Sequence, residues 1–304
     1  MLKKKIDTGI SQACKVILGK EEKIRLALAC LLARGHLLVE DLPGVGKTTL
    51  SHVLANILGL QYQRIQFTSD LLPADILGVS IYEAENKSFR FHPGPIFAQM
   101  ILADEINRAT PKAQSALLEA MEEQQVSIEG KSYPLPQPFF VIATQNPTEQ
   151  IGTFPLPESQ LDRFMMRIEL GYPNAEAERA LLSGHKHRDL IPKLQAVINT
   201  DELLLIQKTI RDITVSPAII AYLQVIIDFS RSSPLYLHGL SPRAGLALLH
   251  SSQAWAWLND RDYCLPEDIQ KMLPSIAQHR LQATDPATQH DKHLIDPLLQ
   301  LAIP

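Results

Sequence analysis

The sequence lacks the features of an exported or membrane-embedded protein. Its 304 residues include three widely spaced cysteines with no C-x-x-C pair: Cys14, Cys30 and Cys264. So sparse a set indicates reduced thiols in the cytoplasm rather than a disulfide framework. No apolar run approaches the roughly 20 residues that span a bilayer. The basic start Met1–Lys5 leads into polar residues instead of the apolar segment of a signal peptide. These absences predict a cytoplasmic protein without a membrane span.

Two further absences narrow the function. The formal net charge is −4, so the chain lacks the basic excess that accompanies a broad nucleic-acid-binding face, although a local basic patch can hide in that average. A guanine-reading Asn-Lys-x-Asp segment is also absent, because Asn86-Lys87-Ser88-Phe89 has no acid at its end. Nucleic acid is therefore not expected as a partner, and GTP is not expected as a ligand.

What the sequence does contain is a phosphate-binding loop. The apolar segment Leu37–Val39 precedes it, and apolar residues at helical spacing follow it. That order of strand, glycine-rich loop and helix lets backbone N–H groups converge on a phosphate in front of a helix N-terminus. We expect Lys47 to reach the β- and γ-phosphates and the Thr48 hydroxyl to coordinate Mg²⁺. The segment reads Asp41, Leu42, Pro43, Gly44, Val45, Gly46, Lys47, Thr48, Thr49, and only Asp41 departs from the strict pattern, which has glycine there.

The pattern of elements divides the chain into two domains. Alternating strand-like and helix-like segments predict an α/β domain with a parallel sheet over residues 1–172, and a helical pattern after Gly171-Tyr172-Pro173 predicts a smaller all-helical domain over residues 173–304. Ser216-Pro217 and Ser241-Pro242 have the composition of helix starts. The predicted strands are His36–Glu40, Met100–Ala103, Phe139–Thr144 and Met165–Leu170. The predicted helices of the second domain are Ala175–Gly184, Asp201–Ile210, Ser216–Ser230, Ser241–Leu258 and Pro266–Ala277.

Two hairpin-like insertions are predicted within the first domain. One pairs Ile81-Tyr82 with Ser88–Phe91 across a polar turn through Asn86-Lys87. The other pairs Val126–Glu129 with Ser132–Leu135 across Gly130-Lys131. The pattern fits functional inserts and plain decoration of the sheet equally well.

Polar residues at strand ends supply the chemistry that a phosphate loop alone does not. Asp104 and Glu105 end an apolar strand, and the carboxyl edge of an open α/β sheet is where ligands bind. Asp104 is expected to hold the Mg²⁺ shell and Glu105 to polarise the attacking water. Asn146 follows another strand and can orient that water, or can simply open a turn with Pro147. From spacing alone, Arg163 fits a local ion pair with Asp162, and Arg243 fits either a nucleotide contact or a solvated surface.

The motifs together resemble the MoxR family of AAA+ ATPases over about residues 17–281. They are Asp104-Glu105-Ile106-Asn107-Arg108-Ala109, Gln114-Ser115-Ala116-Leu117-Leu118-Glu119-Ala120-Met121, Ala143-Thr144-Gln145-Asn146-Pro147, Leu156-Pro157-Glu158-Ser159-Gln160-Leu161-Asp162-Arg163-Phe164, Ser241-Pro242-Arg243-Ala244 and Arg261-Asp262-Tyr263. The resemblance implies an AAA+ P-loop core, a parallel sheet flanked by helices, followed by an all-helical lid. It also implies an acid at the position of Asp41.

The resemblance assigns roles residue by residue. Lys47 and Thr48 match the Walker A motif, and Asp104 and Glu105 match Walker B. Asn146 matches the first sensor and Arg243 the second, while Arg163 matches the arginine finger that serves the neighbouring subunit's site. Ile17 and Gly19 match the segment that meets the adenine. The two hairpins resemble the helix-two insert and the pre-sensor hairpin of the wider clade.

The implied activity is ATP hydrolysis with Mg²⁺ in a homo-oligomeric ring, commonly a hexamer. The ring would use this hydrolysis to remodel or mature partner proteins. Those partners often carry von Willebrand factor A domains. Two alternatives remain open at this point. A nucleic-acid-stimulated motor related to helix-two-insert helicases would share the hairpins, and a small-molecule kinase would share the phosphate loop but would leave Asn146 and Arg163 without a role.

Overall fold

The computed structural model describes residues 1–85, 87–147, 152–183, 187–285 and 292–303. Its strands are β1 (Leu37–Glu40), β2 (Tyr62–Gln66), β3 (Gly78–Glu83), β4 (Ser88–Pro93), β5 (Met100–Asp104), β6 (Gln125–Ile128), β7 (Lys131–Pro134), β8 (Phe140–Gln145), β9 (Met166–Ile168), β10 (Tyr236–His238) and β11 (Gln282–Ala283). Its helices are α1 (Leu2–Val16), α2 (Glu21–Leu32), α3 (Lys47–Ile57), α4 (Pro73–Leu77), α5 (Pro111–Glu123), α6 (Glu158–Leu161), α7 (Ala175–Leu182), α8 (Thr200–Arg211), α9 (Pro217–Ser232), α10 (Pro242–Leu258), α11 (Pro266–Ala277) and α12 (Asp296–Leu299).

A five-stranded parallel sheet in the order β2-β5-β8-β1-β9 organises the first half of the chain. The four predicted strands are confirmed, with ends that differ by at most two residues. The edge strand β2 was not predicted, because Ile65 is its one buried residue and the strand shows no apolar run. Since β1 lies between β8 and β9, the loops that follow β1 and β8 meet at the carboxyl edge of the sheet.

The sheet separates two apolar layers. Leu37 and Val39 face a cluster that contains α1, α2 and α3. Leu38 faces the opposite cluster, which contains the buried side of α5. Both faces of the central strands are therefore covered, as a parallel sheet requires, and their sequences read as continuous apolar runs rather than as an alternation.

After Gly171 the described residues form helices joined by loops, with the short antiparallel pair β10–β11 and an isolated bridge between Thr214 and Tyr263. The strand pair is too short to produce a pattern in the sequence. The predicted helix starts are confirmed. The Ser216 hydroxyl accepts a hydrogen bond from the Ile219 N–H, and the Ser241 hydroxyl accepts one from the Ala244 N–H. Gly184, the expected end of α7, lies outside the described residues.

The apolar core is continuous from the sheet domain into the helical half. Leu203, Ile206 and Leu248 belong to the same cluster as α2. A buried hydrogen bond reinforces this contact, with Gln207 Nε2 donating to the Leu31 carbonyl over 2.9 Å. The helices that follow the break at Gly171 are thus packed directly on the layer that supports the phosphate loop.

Both predicted hairpins are confirmed, as β3–β4 and β6–β7, although Asn86 in the first turn lies outside the described residues. The hairpins touch through their aromatic rings. Phe91 stacks on Tyr133 with ring centroids 4.2 Å apart. Tyr82 and Phe89 pack edge to face on the outer part of the first hairpin and are largely exposed.

Across the described part of the chain, none of the helices combines the length and the apolar character needed to cross a membrane.

Candidate functional site

The phosphate loop has the open shape of an anion site. Gly44 and Gly46 have φ angles of 86° and 104°, and a Cβ added to either would meet no heavy atom within 4 Å. These left-handed conformations favour glycine, and the missing side chains leave the backbone accessible. Gly46 is also the N-cap of α3, and no side chain caps the helix there. A helix N-terminus without a side-chain cap, beside an open glycine loop, fits a phosphate group.

Lys47 lies where a phosphate would meet the sheet edge. Its Nζ donates to the Asp41 carbonyl at the end of β1 and, over 3.4 Å, to the Gln145 carbonyl at the end of β8. The ammonium group therefore bridges the ends of neighbouring parallel strands. Asn146 is the next residue after β8 and is buried. The structure thus brings Lys47 and the candidate sensor Asn146 to one edge of the sheet.

Asp41 connects the phosphate loop to the start of the helical half. Its buried carboxylate accepts hydrogen bonds from the Gly171 N–H over 2.6 Å and from the Leu42 N–H over 2.8 Å. Glycine at this position would leave the amide of Gly171 without this acceptor. The departure from the strict phosphate-loop pattern therefore has a structural reason, because the acid links the loop to the segment that leads into the helices.

The two acidic residues at the end of β5, Asp104 and Glu105, have well-defined partners. Asp104 Oδ1 accepts from the Thr144 hydroxyl over 2.6 Å, and Oδ2 accepts from Arg64 Nη2 and Nε over 2.6 and 3.0 Å. The Glu105 N–H donates to the same Thr144 hydroxyl over 2.8 Å. Thr144, on the neighbouring strand, therefore fixes the orientation of both acidic residues.

Glu105 has a strained backbone, with φ 57° and ψ 50°. A non-glycine residue in this left-handed region costs on the order of 1–3 kcal/mol and persists where the surroundings impose it, most often at functional sites. Its carboxylate accepts from Gln66 Nε2 over 3.0 Å and from Arg108 Nη1 over 2.9 Å. The turn directs Glu105 away from the buried strand and holds its carboxylate between two polar side chains.

These residues suit Mg²⁺ and a nucleotide by chemistry. The Thr48 hydroxyl and the Asp104 carboxylate are the oxygen donors that Mg²⁺ prefers. Ile17 is buried, and Gly19 has a φ of 66° beside Asn174, the N-cap of α7. The segment expected to meet the adenine therefore lies close to the junction between the sheet and the helical half.

Arg163 lies at the opposite edge of the sheet from its own phosphate loop. Arg163 precedes β9, whose first residue Met166 pairs with Leu37 at the start of the parallel strand β1. The phosphate loop instead follows the carboxyl end of β1. The two edges are separated by the four residues of β1, about 13 Å at the usual rise per residue.

Arg243 lies with Arg163 rather than with the phosphate loop. Both guanidinium groups contact the Glu122 carboxylate, Arg163 Nη2 at 2.9 Å from Oε2 and Arg243 Nη2 in a hydrogen bond to Oε1. They line one cleft of about 250 Å³ at the amino edge of the sheet, together with Arg34 and Arg280. The expected site residues thus fall into two groups on opposite edges of the sheet.

Sequence reasoning missed several of these contacts. Arg64 and Gln66 lie on the unpredicted strand β2, and no partner was predicted for Glu122. The order of strands in the sheet gives no signal in a single sequence, so the partners of Asp104 and Glu105 on β2 were not identifiable. Thr144 was visible as a strand residue, but not as the hydrogen-bond partner of Asp104.

Fold and site together define a P-loop ATPase of the AAA type, and comparison with known proteins agrees. Residues 36–166 match the model of the ATPase family associated with various cellular activities (AAA), and residues 229–298 match an AAA lid domain. A crystal structure of a candidate ATPase from Cytophaga hutchinsonii superposes with a TM-score of 0.89 at 36% identity, covering 100% of this chain and 96% of that one.

The similar sequences identify the family. Chaperone MoxR1 of Mycobacterium tuberculosis is 38% identical over 289 residues, which cover 92% of this chain and 76% of that protein. The uncharacterised protein YeaC of Bacillus subtilis is 46% identical over 267 residues, covering 88% of this chain and 83% of that one. The chain belongs to the MoxR family of AAA+ ATPases, as its motifs predicted.

Proposed function

We propose that this protein hydrolyses ATP at the seam between two subunits of a ring. One subunit contributes the phosphate loop, Asp104, Glu105 and Asn146, and its neighbour contributes Arg163 and Arg243. The observation that carries the proposal is the separation of these groups on opposite edges of one subunit's sheet. A monomer has both groups and still cannot bring them to one phosphate, so a second copy is needed.

The chain's own residues divide the work at the seam. Lys47 and the loop amides bind the phosphates, and Glu105 takes up the proton of the attacking water while Asn146 orients that water. Thr48 and Asp104 would hold Mg²⁺, which neutralises phosphate charge when bound. Arg163 and Arg243 stabilise the charge that develops on the transferred phosphoryl group. We propose a hexamer because such rings place the two edges of successive subunits together.

Hydrolysis is proposed to move the helical lid, over about residues 173–304, against the sheet domain. Loss of the γ-phosphate removes contacts made by Asn146 and by the neighbour's arginines, which biases a two-state arrangement. The link from Asp41 to Gly171 supports this coupling, because it joins the loop to the segment entering the lid. We also propose a cytoplasmic location, because the three cysteines are widely spaced and form no C-x-x-C pair.

We propose that the lid motion acts on a client protein. The similarity to a protein named as a chaperone supports this, and so does the exposed aromatic pair Tyr82–Phe89 on a hairpin that stacks on the second hairpin. A partner with a von Willebrand factor A domain is the class we propose. If DNA stimulated ATP hydrolysis in the absence of a client protein, the nucleic-acid-stimulated motor would replace this proposal.

Two variants test the seam. Glu105→Gln should bind ATP and lose steady-state turnover, since the amide cannot accept the water's proton. Arg163→Ala should lose turnover by about 10³-fold or more, the scale of an arginine finger. Mixing the two variants should restore activity. At a mixed seam, the Arg163→Ala subunit supplies the intact Glu105 and the Glu105→Gln subunit supplies the intact Arg163.

Restored activity in the mixture would distinguish a site shared by two subunits from a site completed within one subunit. Arg179→Ala removes an exposed arginine outside the site and is the control that should leave activity unchanged. Activity per molecule should fall on dilution of the unmodified protein. Equal activity per molecule at all concentrations, together with an active Arg163→Ala, would overturn the proposed seam.

A further inference from the structure

Glu122 connects the two arginines that the proposed function assigns to the neighbouring subunit. It occupies the last turn of α5, and each of its carboxylate oxygens contacts a different guanidinium. Oε2 lies 2.9 Å from Arg163 Nη2, and Oε1 accepts from Arg243 Nη2. A single carboxylate therefore holds a residue from the sheet domain and a residue from the lid.

Both terminal nitrogens of Arg163 are engaged within its own subunit. Nη1 donates to the Leu118 carbonyl over 2.6 Å, while Nη2 contacts Glu122. Arg243 has a weaker second contact, with Nη1 4.0 Å from Asp162 Oδ2. Asp162 is itself bonded to the buried Arg280 over 2.6 Å. Glu122 is therefore the main negative partner that Arg163 and Arg243 share.

We propose that Glu122 is an internal counter-ion that retains Arg163 and Arg243 until the γ-phosphate of the neighbour's ATP displaces it. The inference rests on the proposed function, since it requires both arginines to act across the seam. The carboxylate occupies the position of an anion between two guanidinium groups, in a cleft that two more arginines line. A terminal phosphate offers more negative charge and three acceptor oxygens in place of two.

The exposure of the three side chains makes this exchange reversible. The side chains of Glu122, Arg163 and Arg243 are 35%, 29% and 47% exposed. Ion pairs at such exposure are held weakly, because water screens them. ADP lacks the terminal phosphate and leaves Glu122 in place, so the counter-ion makes subunit association depend on the triphosphate.

The test compares Glu122→Gln with Glu123→Gln, which removes the same charge from the next residue of the same exposed helix end. Sedimentation velocity with a non-hydrolysable ATP analogue gives the protein concentration of half-maximal assembly. In Glu122→Gln this concentration should fall by about three- to tenfold, as expected for removing weak ion pairs, and assembly should begin with ADP. Glu123→Gln should match the unmodified protein.

Two outcomes overturn the proposal. They are unchanged assembly and weaker assembly of a folded Glu122→Gln protein. Either result, with or without a lower kcat, would make Glu122 a positioning residue for the arginines. Glu122→Ala provides a second reading, and should assemble as readily as Glu122→Gln. Failure of the seam itself is distinguishable, because Arg163→Ala would then retain full activity whatever Glu122 does.

Discussion

The sharpest prediction concerns Asp41, where the sequence pattern and the structure point in opposite directions. Asp41→Gly completes the strict phosphate-loop pattern, so the pattern alone expects no loss. The structure expects a loss, because the buried carboxylate accepts two amide hydrogen bonds, from Gly171 over 2.6 Å and from Leu42 over 2.8 Å.

The magnitude follows from those two bonds. A hydrogen bond to a charged group contributes roughly 1.5–3 kcal/mol, and the bond to the adjacent Leu42 is the more easily replaced by water. Glycine also adds up to about 1 kcal/mol of chain entropy to the unfolded state. We expect Asp41→Gly to lose about 3–4 kcal/mol of unfolding free energy, which corresponds to a Tm lower by about 5–10 °C for a chain of this size.

Thermal unfolding measures the effect, with Asp41→Asn as the matched control. Asparagine keeps one acceptor oxygen and loses the charge, so its Tm should lie between those of Asp41→Gly and the unmodified protein. Saturating ATP should raise the Tm of all three proteins, since Gly44 and Gly46 remain. An Asp41→Gly protein that melts at or above the temperature of the unmodified protein would refute the reasoning.

The remaining predictions test the fold around the site. Burial lowers the pKa of His36 from 6.5 to about 4, so the unfolded chain binds the extra proton between these values and stability should fall as pH drops from 6.5 to 4, by up to about 3 kcal/mol. His36→Gln should flatten that part of a urea-unfolding curve against pH, and an unchanged slope would contradict the assignment. Gly94→Ala should destabilise the base of the first hairpin by about 1–3 kcal/mol, because its Cβ would lie 2.3 Å from the Ile76 carbonyl oxygen. Gly130→Ala should cost about 1 kcal/mol, because φ is 76° there although the added Cβ meets no atom within 4 Å. Thermal unfolding measures both glycine variants. A Gly94→Ala protein as stable as the unmodified one would show that the space at Gly94 is not restricted.

The sequence by itself determined the elements whose physics is local. The phosphate loop is identified by glycine spacing, the central strands by apolar runs that end in polar residues, and two of the lid helices by their Ser-Pro starts. The strict pattern treated Asp41 as a departure, whereas its role depends on the amide of Gly171, 130 residues away. No local rule contains that contact.

Only the tertiary structure decided which residues meet. The strand order places β2 beside β5, so Arg64 contacts Asp104 and Gln66 contacts Glu105, although β2 carries no apolar signal of its own. The parallel direction of β1 and β9 places Arg163 at the far edge from its own phosphate loop, and the lid brings Arg243 there as well. Spacing along a chain fixes neighbours within one helix or strand, whereas the packing of a whole sheet fixes the distance between its two edges.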